Sequence, residues 1–365
     1  MRLLATLLLC LGLADASART LVSDAGTLRV ERLASGLEHP WGLAFLADNR
    51  LLITERAGRM RIWSAREGLS EPVEGLPEIA VGGQGGLLDV AVEPAEPHPW
   101  VYFSYAEPRD GGASSTALSR ARLANGRLTG LQHLFSQQPK VSGDKHFGGR
   151  IVLSGGDTLY LTTGERFRFD PAQRLDDHLG TIIRLRRDGG VPRDNPYIGR
   201  AGALPEIWSH GHRNILAAAR HPTDHSLWVA EMGPRNGDEL NRIEKGGNYG
   251  WPLVSWGEHY DGRDIPNPPT RPEFIGSALY WSPVIAPSGM IFYTGDAFPA
   301  WHGSALIGGL QSRGLVRVTI DGNRAREVER LALGARIRAV AEGPDGQVYL
   351  LTDAPRGELL RLGPN

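Results

Sequence analysis

The chain has a single cysteine, Cys10, in 365 residues. Beyond that position there can be no disulfide framework, thiolate metal site or cysteine nucleophile. It also lacks an excess of either charge, with 40 Lys and Arg against 41 Asp and Glu and a net charge of −1. The basic residues are scattered, so nothing points to a nucleic-acid surface. After the first few residues no apolar run is long enough to cross a bilayer as a helix. No helical periodicity of about 12 residues or more stands out either. A Gly-x-Ser-x-Gly elbow is missing, which argues against a serine hydrolase. The glycine-rich stretch Gly82-Gly83-Gln84-Gly85-Gly86 is not followed by Gly-Lys-Ser/Thr, so it is not a phosphate loop.

What the chain has in abundance is glycine, 47 residues, and proline, 25. Such a composition calls for many turns, and therefore many short strands. At the N-terminus, Arg2 precedes an apolar run from Leu3 to Leu13 and then small residues, Ala14-Asp15-Ala16 and Ala16-Ser17-Ala18. Residues 1–18 read as a secretory signal peptide. A tethered N-terminal helix is the plainer alternative. Export would place the mature chain, residues 19–365, in an oxidising compartment such as a bacterial periplasm, without its cysteine.

Six segments share one grammar of strand, turn, strand, turn, strand. The first is Trp41-Gly42-Leu43-Ala44-Phe45, Leu51-Leu52-Ile53-Thr54-Glu55 and Met60-Arg61-Ile62-Trp63; the last ends in Glu358-Leu359-Leu360-Arg361-Leu362. One small antiparallel sheet cannot bury both of its faces, but six stacked radially can. The expected fold is all-β, a six-bladed β-propeller with four-stranded antiparallel blades, in a single domain over residues 19–365. A strand at residues 28–33 precedes the first unit and is expected to pair with the last blade, closing the ring and removing an exposed edge. Longer excursions occupy residues 110–115, 167–178, 187–204 and 251–287. Loops of that length are usually functional, and they are expected to gather on one face as a pocket over the channel.

Several residues could carry chemistry at such a pocket. His146 stands just ahead of one strand and Glu165 ends the next, 19 residues on. In a hairpin-linked pair these positions are neighbours, and a carboxylate on one imidazole nitrogen raises the basicity of the other. A general base is one reading; a structural histidine is the other. Gln84 sits in the glycine-rich entry, where a flat ligand could approach closely, or where the chain simply turns. Arg213-Asn214 opens the fourth unit, and Arg336 and Arg338 share one face of a strand start. Converging arginines suit a carboxylated ligand, although each alone reads equally as a solvated ion pair. His210 and His212 lack a third ligand at transition-metal spacing. The turn Gly233-Pro234-Arg235-Asn236-Gly237-Asp238-Glu239 frees carbonyls beside carboxylates, the hard oxygen donors that calcium prefers; it also reads as a plain acidic loop.

These motifs coincide with a family. The stretches His39-Pro40-Trp41-Gly42, Gly83-Gln84-Gly85-Gly86-Leu87-Leu88-Asp89, His146-Phe147-Gly148-Gly149-Arg150, Gly211-His212-Arg213-Asn214, Asn248-Tyr249-Gly250-Trp251-Pro252 and Arg336-Ile337-Arg338 run in order across nearly the whole chain. Together with the Gly233 to Glu239 turn, they resemble the soluble pyrroloquinoline quinone (PQQ)-dependent aldose sugar dehydrogenases of the glucose/sorbosone dehydrogenase family. The resemblance implies a six-bladed propeller that oxidises aldoses at C1 to lactones, passing hydride to PQQ and electrons on to an unidentified acceptor. By the same resemblance, His146 is the base and Glu165 orients it. Gln84, Arg213, Asn214, Tyr260, Arg336 and Arg338 match positions around the cofactor. Carbonyls of Gly233 and Pro234 match ligands of a calcium that also holds PQQ, and Glu239 with the Tyr249 carbonyl matches a second calcium. One departure is clear. Where the family has a lysine near the quinone, this chain has Gln311, with Arg313 two residues on as a candidate replacement. Lys145 ahead of the histidine is a second difference in charge. The alternatives are a calcium-dependent sugar-lactone hydrolase with a carboxylate and asparagine cage, and a ligand-binding propeller without chemistry.

Overall fold

The computed structural model describes residues 19–93 and 99–365; the signal segment expected over residues 1–18 lies outside the described residues. Among the described residues six antiparallel sheets carry the regular structure, with only single-turn helices between them. Blade 1 spans residues 40–69, blade 2 residues 87–136, blade 3 residues 148–210, blade 4 residues 215–281 and blade 5 residues 287–332. Blade 6 joins residues 337–364 to residues 19–37. The first strand of each blade lies against the first strand of the next, and Ile337–Glu342 against Pro40–Phe45 closes the ring. Among the described residues no helix is long and apolar enough to cross a membrane.

Ring closure follows the expected pairing. Leu28 lies opposite Pro364 and Val30 opposite Leu362. The closing strand is longer than expected, Gly26–Leu37, and a hairpin partner, Arg19–Ser23, makes this blade five-stranded. Strand periodicity explains how the core is divided. Successive side chains point to opposite faces, so each blade feeds the interfaces on both of its sides. Leu52 packs between blades 1 and 2, while Leu51 and Ile53 pack between blades 6 and 1. Tyr102 joins blade 3 while its neighbours Val101 and Phe103 join blade 1. Every blade interface has its own apolar cluster of this kind.

Two further devices repeat. Each first strand shifts register against its second strand near the channel mouth, as between Gly148 and Ile151 or Ile337 and Ala339. Such bulges bend a strand and re-aim side chains, and here they turn the residues that precede each inner strand toward the axis. Hydroxyls on second strands then bridge to the next blade. Ser104 donates to Gly149 O at 2.5 Å, Thr162 donates to Ile215 O at 3.1 Å, and Thr54 donates to Leu88 O.

At the axis sits Arg150. It pairs with Asp89 of blade 2 at 2.9 Å, donates to Leu216 O of blade 4 at 2.6 Å and to Arg338 O of blade 6 at 2.8 Å. Its guanidinium also lies 4.0 Å from the centre of the Trp41 ring of blade 1. Both members of the ion pair are buried. Burial pushes Asp89 up and Arg150 down, and their mutual attraction opposes both shifts.

The long excursions divide between two rims. Residues 167–178 and 251–287 stand over the rim that carries His146. Residues 187–204 do not: they leave the opposite rim and wrap the outside of blade 3, where Asn195 Nδ2 donates to Arg184 O and Pro205 O. The expected excursion at residues 110–115 is a tight turn between two long strands, Trp100–Arg109 and Ala113–Ala124. Cross-strand pairing extends to the Arg109–Ala113 pair, a length that the polar serines there concealed in the sequence.

Removing one partner of a buried ion pair leaves the other charge uncompensated. Asp89→Ala is expected to destabilise the fold by about 3–5 kcal/mol, read as a lowered midpoint in urea unfolding. An unchanged midpoint would show that Arg150 is held by its carbonyl contacts alone.

Candidate active site

The inner-strand bulges bring residues from all six blades to one mouth of the channel. A cavity of about 240 Å³ opens there, lined by Trp41, Gln84, Phe147, Leu216, Leu310 and Arg338 among others. At its edge His146 is held with φ of 53°, a conformation that costs a non-glycine residue about 1–3 kcal/mol and tends to cluster at functional sites. The surroundings hold it in place. Its backbone N–H donates to Gln84 Oε1 at 2.8 Å, and its carbonyl accepts from Arg166 N at 3.2 Å. Its Nδ1 lies 2.6 Å from Glu165 Oε1.

Glu165 is fully buried, and its second oxygen accepts the backbone N–H groups of Arg168 and, at 2.9 Å, Phe169. An acceptor so anchored fixes the tautomer with the proton on Nδ1 and leaves Nε2 with its lone pair. That Nε2 has no partner among the described residues and is not one of the buried unpaired atoms, so it is open to the site. Burial lowers the His146 pKa below its ordinary 6.5; Glu165 raises it, while Arg213 and Lys145 lower it further. The imidazole is therefore neutral at neutral pH and able to take a proton.

The arginines converge as two groups. Arg213 donates to Met232 O at 3.0 Å and to the Tyr260 hydroxyl at 3.2 Å. Asn214 Oδ1 accepts from Gly148 N at 3.1 Å, tying blade 4 to the loop after His146. Tyr260 stays exposed above them and stacks with Phe167. Across the cavity, Arg336 and Arg338 both donate to Asp353 Oδ2 at 2.9 Å. Burial alone would raise Asp353, but Arg338 and Arg336 outweigh it and hold the carboxyl well below the usual carboxylate range. Arg338 is lowered to about 10 by burial and remains cationic. Its Nε and that of Arg213 are buried without a partner, donors that a carboxylated ligand could satisfy.

Gln311 and Arg313 stand apart from this group. Gln311 is exposed, with its backbone N–H on Ile285 O. Arg313 turns away to the Gly334 carbonyl, which both its Nε, at 3.1 Å, and its Nη2 address. Neither lines the cavity. Sequence reasoning gave no role to Arg56, Asp353 or Trp41, all of which do line it. The available signal was position: Arg56 and Asp353 end second strands at the same rim as Glu165.

The Gly233 to Glu239 turn carries donors for a hard cation. The carbonyls of Gly233, Pro234 and Tyr249 accept no hydrogen bond among the described residues. Gly233 is required by space, because an added Cβ would meet Asn236 O and Gly237 O at 2.3 Å. Glu231 and Glu239 are near neighbours in a small pocket that Tyr249 also lines. Burial and the Glu231 charge push Glu239 up to about 8, a conflict that a bound cation would relieve. Among the described residues, no three or more His, Cys, Asp or Glu side chains converge as a metal cage. A cation here would depend on backbone carbonyls, not on the side-chain cage that a lactone hydrolase calls for.

His212 shows the same pairing as His146 in a different setting. Its Nδ1 lies 3.0 Å from Glu231 Oε1, again 19 residues on, and its Nε2 lies 2.9 Å from Ser209 Oγ. Serine, histidine and glutamate thus line up as in a hydrolytic triad, but all three are buried and Nε2 is already occupied. The trio braces Arg213, whose backbone N–H donates to Glu231 Oε2 at 2.8 Å.

A propeller with a basic, aromatic-walled cavity at one mouth and an open imidazole at its edge is a small-molecule site with a proton acceptor. The chain belongs to the glucose/sorbosone dehydrogenase family, whose model matches residues 37–361. It is 42% identical over 349 residues to aldose sugar dehydrogenase YliI of Escherichia coli (strain K12), spanning 93% of each chain. The apo-form crystal structure of the soluble aldose sugar dehydrogenase (Asd) from Escherichia coli superposes with a TM-score of 0.86 at 41% identity, covering 93% of this chain and 100% of that one. The PQQ-bound aldose sugar dehydrogenase of Streptomyces coelicolor superposes with a TM-score of 0.73 at 25% identity, covering 95% and 99%.

The buried Ser209–His212–Glu231 trio is expected not to react as a hydrolytic triad. A fluorophosphonate probe should leave Ser209 unlabelled in the folded protein, and Ser209→Ala should cost about 1 kcal/mol, the net worth of one hydrogen bond. Stoichiometric labelling of Ser209, seen by mass spectrometry, would contradict this.

Proposed function

We propose that this chain is a periplasmic PQQ- and calcium-dependent aldose dehydrogenase that oxidises sugars at C1 to lactones. The observation that carries the reading is the His146–Glu165 pair at the edge of a cavity rich in arginine. Membership of the family and the PQQ-bound relative support it. PQQ, when bound, supplies the two-electron oxidant for C1. Arg213, Arg336 and Arg338, with Gln84 and Asn214, are the groups that would hold a flat carboxylated molecule, and Tyr260 would cover it. Carbonyls of Gly233 and Pro234 would hold one calcium against it, and Glu239 with the Tyr249 carbonyl a second.

The chain's own contribution to the chemistry is proton transfer. The C1 hydroxyl of an aldose gives its proton to His146 Nε2. Glu165 accepts the Nδ1 proton as a hydrogen bond and stabilises the imidazolium that forms. Oxidation removes two electrons and two protons from the sugar and leaves the lactone. Phe167 and Phe169, beside His146 and Trp251, present apolar faces that exclude water from this side of the site.

The test is a titration of the purified protein with PQQ and calcium, followed by glucose and an electron-accepting dye. Sugar-dependent dye reduction that requires both additions supports the reading; no PQQ binding would sink it. His146→Ala is expected to lose about 10²–10⁴-fold in turnover while still binding PQQ, and near-normal turnover would remove His146 from the mechanism. The pH profile gives a further check. A base of lowered pKa keeps its activity below pH 6.5, and activity falls only as pH drops through the lowered value. Because the Lys145 charge contributes to that lowering, Lys145→Ala should move the acid limb of kcat/KM to higher pH. An unmoved or downward-shifted limb would place the titrating group elsewhere.

A further inference from the structure

Within the main cavity, the lining charges are Arg56, Arg336, Arg338 and Asp353. Two of the three arginines share the one carboxylate: Arg336 and Arg338 each donate to Asp353. Arg56 has no such partner. Its backbone N–H is used, on His39 O at 3.0 Å, but its guanidinium makes no hydrogen bond or ion pair among the described residues. It stands at the end of Leu51–Glu55, where its backbone carbonyl and Cγ pack against Gly86; a Cβ added to Gly86 would meet those atoms at 1.9 and 2.8 Å. The close approach pins the start of the side chain and leaves its charged end to the cavity.

We propose that Arg56 is a cofactor-binding residue, and that it provides the free cation which Gln311 does not. This rests on the functional reading above, because the ligand it would take is a carboxylate of PQQ. A guanidinium is never deprotonated and offers a planar fork matched to carboxylate oxygens. The other lining arginines spend part of that capacity on Asp353. Gln311 carries no charge, and Arg313 is committed to Gly334 O on the outer side of its turn. Among the described residues Arg56 is thus the cavity's unpartnered lining charge, carried by blade 1, whereas Arg213 precedes the first strand of blade 4.

The experiment is equilibrium binding of PQQ to the full chain in calcium, without sugar, followed by quenching of tryptophan fluorescence; Trp41 lines the same cavity. Arg56→Ala is expected to weaken binding roughly 10- to 100-fold, the usual loss for a hydrogen bond to a charged group. Arg56→Lys, which keeps the charge but not the fork, should fall between it and the wild type. Arg313→Ala should bind within about twofold of wild type. Thermal unfolding of each unliganded variant checks that the fold is retained. Undiminished binding by a folded Arg56→Ala, or a loss confined to Arg313→Ala, overturns the assignment and leaves the functional reading intact. Failure of the wild type to bind PQQ overturns both.

Discussion

One ion pair on the axis sets the geometry of the whole mouth. Arg150 reaches from blade 3 to a carboxylate on blade 2 and to carbonyls on blades 4 and 6, and Ser288 of blade 5 adds a hydroxyl to the same Arg338 carbonyl at 3.0 Å. A charge in this position is costly to bury unless every donor is met. Meeting them all requires that the inner strands approach to one separation and one register. Ring closure therefore depends on a polar contact at the centre as well as on apolar contacts between blades. The backbone of Arg338, whose side chain lines the cavity, is positioned by this pair.

The site above it is built by reuse. At the same rim, three second strands end in a carboxylate beside a histidine: Glu165 with His146, Glu231 with His212, and Asp353 with His39 at 3.2 Å. The three pairs are not equivalent. His212 is closed off by Ser209, and Asp353 is mainly engaged by arginines. His146 keeps Nε2 without a partner among the described residues, and no other side chain engages its carboxylate; the chain around it is left-handed at His146, Arg166, Phe167 and Phe169. The Phe167 ring lies edge-on to the imidazole, with ring centroids 5.1 Å apart. The three copies of this pairing differ in what else engages the carboxylate and in what covers the imidazole.

Much of the fold was readable from periodicity. Alternating apolar residues counted six sheets, and Leu28 and Val30 marked the closing strand. The extra strand at Arg19–Ser23 was not readable, because its side chains are mostly exposed and carry no alternation. The route of residues 187–204 was not readable either. A loop's length says nothing about which end of its blade it leaves, and only the up-and-down order of the strands decides that. For the site, strand-end position places His146 beside Glu165, and the same rule places Arg56 and Asp353 at that rim.

Sequence by itself determined the architecture, since period-two burial and regular turns allow few arrangements other than stacked antiparallel sheets. It also determined the inventory of the site, through motifs spread over nearly the whole chain. Tertiary structure decided which members of that inventory are available. Two His–Glu pairs have the same 19-residue spacing, yet one is open and the other sealed. Arg313 stood as the candidate beside a missing lysine by sequence proximity alone, whereas the unpaired guanidinium came from another blade. Availability depends on partners brought together from distant blades, and spacing along one strand pair does not encode them.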